Sequence, residues 1–460
     1  MEIYPVEIET DVSNGLPAIN IVGLPDSAIK ESKERVKSAI KNSGFNWPAQ
    51  RITISLAPSE IRKEGSCFDL GIAVSILQAT GQIKNPDLSD YYILGELSLN
   101  GSLKPCRGVL QIAIDAGTLI KKNFILPLEN AYEAAAVTKL NVFAFKDLKE
   151  TVEFLNSASG EPFTVNTAEV FRDNNSYDTD FSEVKGQVAA KRAIEVAVAG
   201  NHNIAMIGPP GSGKTMLARR IPTIMPRLTF EEALEITKIY SVAGNFCERE
   251  KIIMHRPFRS PHHTITDAAL VGGGNIPLPG EISLAHKGVL FLDELPEFQR
   301  SNLENLRQPL EEGRINISRS RKKLCFPASF MLITALNPCP CGYAGDPLKI
   351  CCCSTTKINT YLGKISGPLL DRIDIHIELP RVKYSYLSGK EETEPSIKIR
   401  ERIEKARKIQ TQRFKCSGGQ ISCNASMGIK ALKKYCGMDK EAEELLRLAL
   451  NELGLSARAY

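Results

Sequence analysis

The chain has 460 residues, 43% of them hydrophobic and 24% charged, and carries a net charge of +5. That length exceeds one compact core and predicts two or three domains of ordinary globular composition, while the mild positive charge permits nucleic-acid binding without requiring it. No run of 18 apolar residues and no basic-then-apolar leader occurs, so no membrane helix or secretory signal is expected, and the twelve cysteines are expected in the cytoplasm as reduced thiols or metal ligands.

Residues 1–157 read as an α/β unit. Strands are expected at Glu7–Thr10 and Ala18–Val22 around the turn Ser13-Asn14-Gly15, then a basic helix from Ser27 to Asn42. Arg51–Leu56 alternates with period two, as a strand does; Phe68–Thr80 and Val109–Ala116 read as helices, and Tyr91–Leu94 and Phe124–Leu126 as further strands. Alternating strands and helices predict a mixed sheet covered by helices. Lys63-Glu64-Gly65-Ser66-Cys67-Phe68-Asp69 and Gly95-Glu96-Leu97-Ser98-Leu99-Asn100-Gly101 resemble the nucleophile turn and following motif of the Lon protease domain. Cys67 stands where that family has its serine, and Leu110 falls where its lysine belongs. A Ser–Lys mechanism needs the amine as base, so the resemblance implies a Lon-like fold without peptidase activity.

Residues 158–180 are polar, lack periodicity and read as a linker. In the unit expected at 181–380, an apolar strand at 203–207 runs into Gly208-Pro209-Pro210-Gly211-Ser212-Gly213-Lys214-Thr215 and then a helix. This is the G-x-x-x-x-G-K-T phosphate loop in its strand-loop-helix setting. Backbone N–H groups wrap phosphates, Lys214 reaches the β/γ-phosphates, and the Thr215 hydroxyl ligates Mg²⁺. The strand Gly288–Leu292 ends in Asp293 and Glu294, suited to holding Mg²⁺ and to polarising the attacking water. Together they predict an ATPase. The loop holding His262-His263 reads as a hydrogen-bonding or partner-contacting segment, since adjacent residues rarely face one ion.

A helix is expected at Glu304–Gly313, followed by two alternating strands flanking Arg319, Arg321, Lys322 and Lys323. This basic hairpin is either a solvated tip or a set of cations that tracks a phosphate backbone. The buried strand Ser329–Leu336 ends in Asn337. Cys339, Cys341, Cys351 and Cys353 form C-x-C-x₉-C-x-C, enough for a tetrahedral Zn²⁺ site, with free thiols the alternative and Cys352 a possible substitute. Arg372 reads either as an arginine finger or as a partner of Asp371 or Asp374. Residues 381–460 include a strongly basic helix, Ser396–Lys415, that faces nucleic acid or solvent, and a further helix at Lys440–Leu450.

The phosphate-loop unit resembles AAA+ ATPases. That resemblance implies that the segment holding Val184 and Gln187 lines the adenine pocket, that Asn337 is the sensor-1 residue, and that the basic hairpin points into a ring's channel. Gly15-Leu16-Pro17-Ala18-Ile19-Asn20-Ile21-Val22-Gly23-Leu24-Pro25, Pro261-His262-His263-Thr264, Asn337-Pro338-Cys339-Pro340-Cys341-Gly342 and Gly367-Pro368-Leu369-Leu370-Asp371-Arg372 extend the resemblance over essentially the whole chain, to the ComM/YifB family of magnesium-chelatase-like AAA+ ATPases. The resemblance implies a hexameric helicase promoting branch migration of single-stranded or branched DNA during natural transformation, with Arg458 as sensor 2. Against that family the chain begins within the first strand and ends at Tyr460, so a partial C-terminal helical lid is expected. The rival reading is a chelatase- or chaperone-like remodeller of a protein partner, because both classes use the same ATPase residues.

Overall fold

The computed structural model describes residues 4–453 apart from 64, 85–86, 118–120, 122, 137–139, 158–159, 166–176, 245–251, 275–277, 320–321, 382–392 and 416–421, and apart from the side chains of 318–319 and 322–323. Two compact units form, one of Met1–Asp173 with Tyr240–Ile253, the other of Asn174–Ile239 with Met254–Tyr460.

The first unit holds two three-stranded sheets where one was expected. In the first, β3 (Arg51–Ala57) lies between β1 (Glu7–Ser13) and β2 (Ala18–Val22), antiparallel to β1 and parallel to β2. The strands flanking the Ser13-Asn14-Gly15 turn therefore do not pair with each other. Residues 14–17 need to cross only two strand spacings, about 10 Å, to leave room for β3. Ile52, Ile54 and Leu56 point alternately into the core against Ile29, Val36 and Ile40 of the helix Ser27–Asn42 and Leu70, Val74 and Leu77 of the helix Asp69–Ala79. Asp26 caps the first of these helices, accepting from the Ile29 N–H at 2.9 Å.

The second sheet is all parallel: β4 (Tyr91–Ile93), β7 (Asn123–Pro127) and β8 (Asn141–Phe145), with a short hairpin of β5 (Glu96–Leu97) and β6 (Leu103–Lys104) beside it in sequence. The helix Leu148–Ser157, absent from the sequence reading, buries Leu148, Val152 and Leu155 at helical spacing. Within 158–180, Phe163 donates its N–H to Val142 O at 2.7 Å, and so extends the first unit.

Arg35 grips Asp69 with two nitrogens, at 2.8 and 3.2 Å, and the Leu97 N–H donates to the same carboxylate at 3.3 Å. Only 1% of the Asp69 side chain is exposed. Asp69→Ala leaves a guanidinium and an N–H without their acceptor, and is expected to destabilise this unit by about 3 kcal/mol, measured as a lower denaturation midpoint at unchanged m-value.

The second unit is built on five parallel strands in the order β10 (Phe258–Arg259), β13 (Val289–Leu292), β16 (Met331–Leu336), β9 (Ile204–Ile207), β17 (Ile375–Glu378). β13 and β16 are buried along their whole length, as a parallel sheet covered on both faces requires. The helices Val188–Gly200, Lys214–Ile224 and Ser396–Lys415 contribute Ile194, Leu217, Ile221, Ile399 and Ile403 to one core with β9 and β16. Tyr177 and Asp180 belong to this unit, although the sequence reads them as linker. The Tyr177 hydroxyl accepts from the Arg256 N–H, and Asp180 caps the turn Phe181–Glu183 and accepts from the Ser396 N–H at the start of the long basic helix.

Several of that helix's cations are engaged within the unit. Arg402 pairs with Glu195 and Glu394, Arg400 donates to Thr223 O, and Arg407 donates to Val198 O. The helix expected at 304–313 is two short ones, Arg300–Asn305 and Arg307–Glu312, closed by Gly313 in the left-handed conformation. β14 (Arg314–Arg319) pairs with β15 (Lys322–Pro327) as an antiparallel hairpin whose last pair is Arg319↔Lys322.

Candidate functional site

Because β9, β16 and β13 run parallel in matched register, with Leu336 beside Ile207 and Thr334 beside Leu292, their carboxyl ends share one edge of the sheet. Parallel α/β sheets bind ligands at that edge. Three segments leave it together: the loop 208–215 from β9, Asp293-Glu294 from β13 and Asn337 from β16. The insertion of β16 between the other two is a tertiary fact that no local pattern announces.

Gly213 takes φ +89° and leads directly into the helix Lys214–Ile224. A side chain would strain that backbone, and the first N–H groups of the helix are left free to face an anion. Lys214 is largely buried; its Nζ donates to Gly208 O at 2.6 Å, Pro209 O at 3.1 Å and Asn337 Oδ1 at 3.2 Å. Burial lowers its pKa below the usual lysine value, while Asp293 and Glu294 pull it back up. The Thr215 hydroxyl donates to Asp293 Oδ2 at 2.7 Å, so a hydroxyl and a carboxylate oxygen sit side by side. Ser212 Oγ is buried and makes no hydrogen bond, an orphan that a phosphate oxygen would satisfy. Hard oxygen donors beside a phosphate cradle suit Mg²⁺.

Val184 and Gln187 frame the loop differently from each other. Val184 is buried in the hydrophobic core. Gln187, itself left-handed at φ +53°, donates through Nε2 to Ser212 O and so braces the phosphate loop from behind.

Glu294 adopts φ +53°, rare for a residue with a side chain. Its carboxylate is 54% exposed and lies 3.8 Å from His263 Nδ1. His263 packs against His262 with ring centroids 4.1 Å apart and the ring planes tilted by 34°. Both histidines join Thr215, Arg219, Asp293 and Glu294 in lining one cavity of about 290 Å³. The sequence reading did not place them there. Their only signal is the preceding strand β10, two residues long, whose pairing with β13 carries them to this edge.

Arg372 lies elsewhere. Its backbone oxygen accepts from Asn203 Nδ2 at 2.8 Å, and Asn203 precedes β9, so Arg372 sits at the edge of the sheet opposite its own phosphate loop. Its guanidinium donates to Glu311 Oε2 and Pro368 O, both at 2.6 Å. Neither Asp371 nor Asp374 is its partner; Asp374 pairs with His202 at 3.0 Å.

Cys339, Cys341, Cys351 and Cys353 converge, with all four sulfurs within 4.8 Å of one another, and could hold a metal ion. Cys352 is exposed and outside the cluster. The hairpin tip presents the backbone of Arg319, Lys322 and Lys323, while Arg321 and Arg458 lie outside the described residues. In the first unit burial pushes the Cys67 thiol up to about 12, which disfavours the thiolate. Leu110 is fully buried.

Comparison with known families agrees with this layout. Residues 180–387 match the model for "Magnesium chelatase, subunit ChlI", residues 8–130 that for "Subunit ChlI of Mg-chelatase", and residues 393–460 its C-terminal model. The chain is 43% identical to the competence protein ComM of Haemophilus influenzae and 42% identical to YifB of Salmonella typhimurium, covering 99% of this chain and 88% of each relative. It is 26% identical, over 34% of its length and 23% of the relative's, to a magnesium-chelatase 67 kDa subunit of Chlorobaculum parvum. A phosphate loop, an acidic strand end and an asparagine on one sheet edge, with identity at this level from end to end, mean that the chain belongs to the ComM/YifB family of magnesium-chelatase-like proteins.

Proposed function

We propose that the chain is an ATP-hydrolysing AAA+ motor that moves along DNA as a ring of identical subunits. The observation that carries the reading is the split of its polar and charged groups. Lys214, Thr215, Asp293, Glu294 and Asn337 gather at one sheet edge, and Arg372 is held at the other. A strand of four residues is about 13 Å long, so Arg372 is displaced from its own loop, which supports a role at a neighbour's.

In this reading the loop N–H groups and Lys214 hold the β- and γ-phosphates, and Thr215 and Asp293 hold Mg²⁺, which neutralises charge developing on the transferred group. Glu294 takes the proton of the attacking water, Asn337 orients that water, and Arg372 of the adjacent subunit stabilises the γ-phosphate. Residues 381–460 would act as the helical lid, with Arg458 as sensor 2. The N-terminal unit is a Lon-like module without peptidase chemistry, as the raised Cys67 pKa and buried Leu110 support. The proposed ring has six subunits, a cytoplasmic setting and a role in branch migration during transformation; the competence protein among the relatives supports the last of these. Among the described residues no helix is long and apolar enough to cross a membrane.

The DNA assignment is supported by the hairpin, whose last described pair is Arg319↔Lys322, with Lys323 next along the same strand. The quadruple variant R319A/R321A/K322A/K323A is expected to keep basal ATP hydrolysis and lose its stimulation by single-stranded DNA. The slope of log affinity against log salt is expected to fall in magnitude by about 3, at roughly 0.7 per phosphate contact. Stimulation that survives the substitutions would favour remodelling of a protein partner, the reading suggested by the chelatase models.

A further inference from the structure

The cysteine cluster and the phosphate loop touch. Asn337, whose Oδ1 accepts from Lys214, is followed within two residues by Cys339, the fully buried member of the cluster. The turn that begins there closes through the Gly342 N–H donating to Cys339 O at 2.9 Å. Gly342 takes φ +83°, and a Cβ on it would lie 2.6 Å from Pro210 Cδ and 2.8 Å from Pro210 Cγ. The backbone of the cysteine turn is thus pressed against the phosphate loop. Beyond the turn, Asp346 receives the Arg381 guanidinium at 2.6 Å. Arg381 lies just past Leu379, whose N–H donates to Ile207 O, the last residue before the loop.

The cluster itself is shaped for one ion. Sulfur–sulfur distances are 3.3 Å for Cys339–Cys341, 3.6 Å for Cys339–Cys351 and 3.5 Å for Cys341–Cys351. Four thiolates at about 2.3 Å from a tetrahedral centre stand about 3.8 Å apart. N–H groups of Ala344 and Cys353 point at Cys339 Sγ and Cys351 Sγ, at 3.3 and 3.4 Å, the kind of outer contact that fixes thiolate ligands.

We propose that Cys339, Cys341, Cys351 and Cys353 bind one soft divalent cation of the Zn²⁺ class, and that its binding holds Asn337 and Pro210 in the geometry that accepts nucleotide. The cation crosslinks both ends of the 339–353 loop. Without it, among the described residues, that loop is tied to Arg381 by Asp346 and by the Tyr343 ring, 5.5 Å from the guanidinium, and otherwise by local turns. The site is a strut of the phosphate loop and takes no part in the chemistry. This coupling rests on the ATPase reading; the metal site does not.

The test uses the whole chain and Zn²⁺ as the probe. Metal is counted by release to a chromogenic chelator, and nucleotide affinity is measured with a fluorescent ATP analogue in Mg²⁺. The expected results are one Zn²⁺ per chain, and at least a tenfold loss of nucleotide affinity on stripping that is restored on reloading. C341S is expected to lose both metal and affinity, and C352S to lose neither. G342A retains all four thiols, so it is expected to keep its Zn²⁺ and still lose affinity about tenfold, which separates the strut from general unfolding. Failure to bind Zn²⁺ in the reduced protein overturns the site. Unchanged nucleotide affinity after stripping, or in G342A, overturns the coupling. If loaded wild-type chain binds no nucleotide, the ATPase reading falls and the coupling with it, while the metal count still reports on the cluster.

Discussion

Glu294→Gln is expected to leave nucleotide binding intact and to lower ATP hydrolysis by about 10²–10⁴-fold, the usual contribution of a positioned proton acceptor. The two neighbouring carboxylates are distinguished by their contacts. Asp293 is tied to Thr215 at 2.7 Å and accepts from the Glu294 N–H at 3.0 Å. In the proposed site it takes the metal side. Glu294 is thrown outward by its left-handed backbone and faces His263 across 3.8 Å, so its oxygens are available to a water. An amide has the same shape and cannot take the proton. Single-turnover hydrolysis beside equilibrium binding separates the effects: lost turnover with retained affinity assigns the base, and turnover at the wild-type rate would remove Glu294 from that role.

Arg372→Ala is expected to lower hydrolysis by about 10³-fold, at the lower end of the range for a finger supplied by another subunit. The decisive form is a mixture. Chains carrying R372A keep an intact phosphate loop, and chains carrying K214A keep an intact finger. Each is expected to be inactive alone, and the mixture to recover hydrolysis at junctions pairing an intact loop with an intact finger. In the single chain the guanidinium donates to Glu311 and Pro368, contacts that a finger would exchange for the neighbour's phosphate. If Arg372 merely fastens the helix Arg307–Glu312, the mixture recovers nothing and R372A shows lowered thermal stability in place of a catalytic defect.

Much of the layout was legible because local chemistry carried it. A phosphate loop needs glycines at left-handed positions and a helix behind it, and 208–215 spells that out. β13 is an uninterrupted apolar run and β16 is broken only by Thr334, as suits buried parallel strands. The cysteine spacing announced a cluster, and the structure brings those four thiols together. What could not be read depends on long-range packing. The sequence has no sign that β3 separates β1 from β2, since that order is set by the helices that cover the sheet. β10 is too short for any periodicity, so the entry of His262 and His263 into the cavity was hidden. Glu311 as the Arg372 partner is equally silent, because the aspartates nearer in sequence are better candidates by spacing alone. The basic helix Ser396–Lys415 shows the limit of counting charges: Arg400, Arg402 and Arg407 make internal contacts, so charge density overstated the surface offered to a partner. The contact of Gly342 with Pro210 joins two motifs that read as separate.

The central claim, an ATP-driven motor on DNA, is tested most directly by ATP hydrolysis of the purified chain with and without single-stranded and forked DNA at low and moderate salt. Hydrolysis stimulated several-fold by DNA, with the stimulation fading as salt rises, is the predicted result. Hydrolysis indifferent to DNA at both salt concentrations would contradict it.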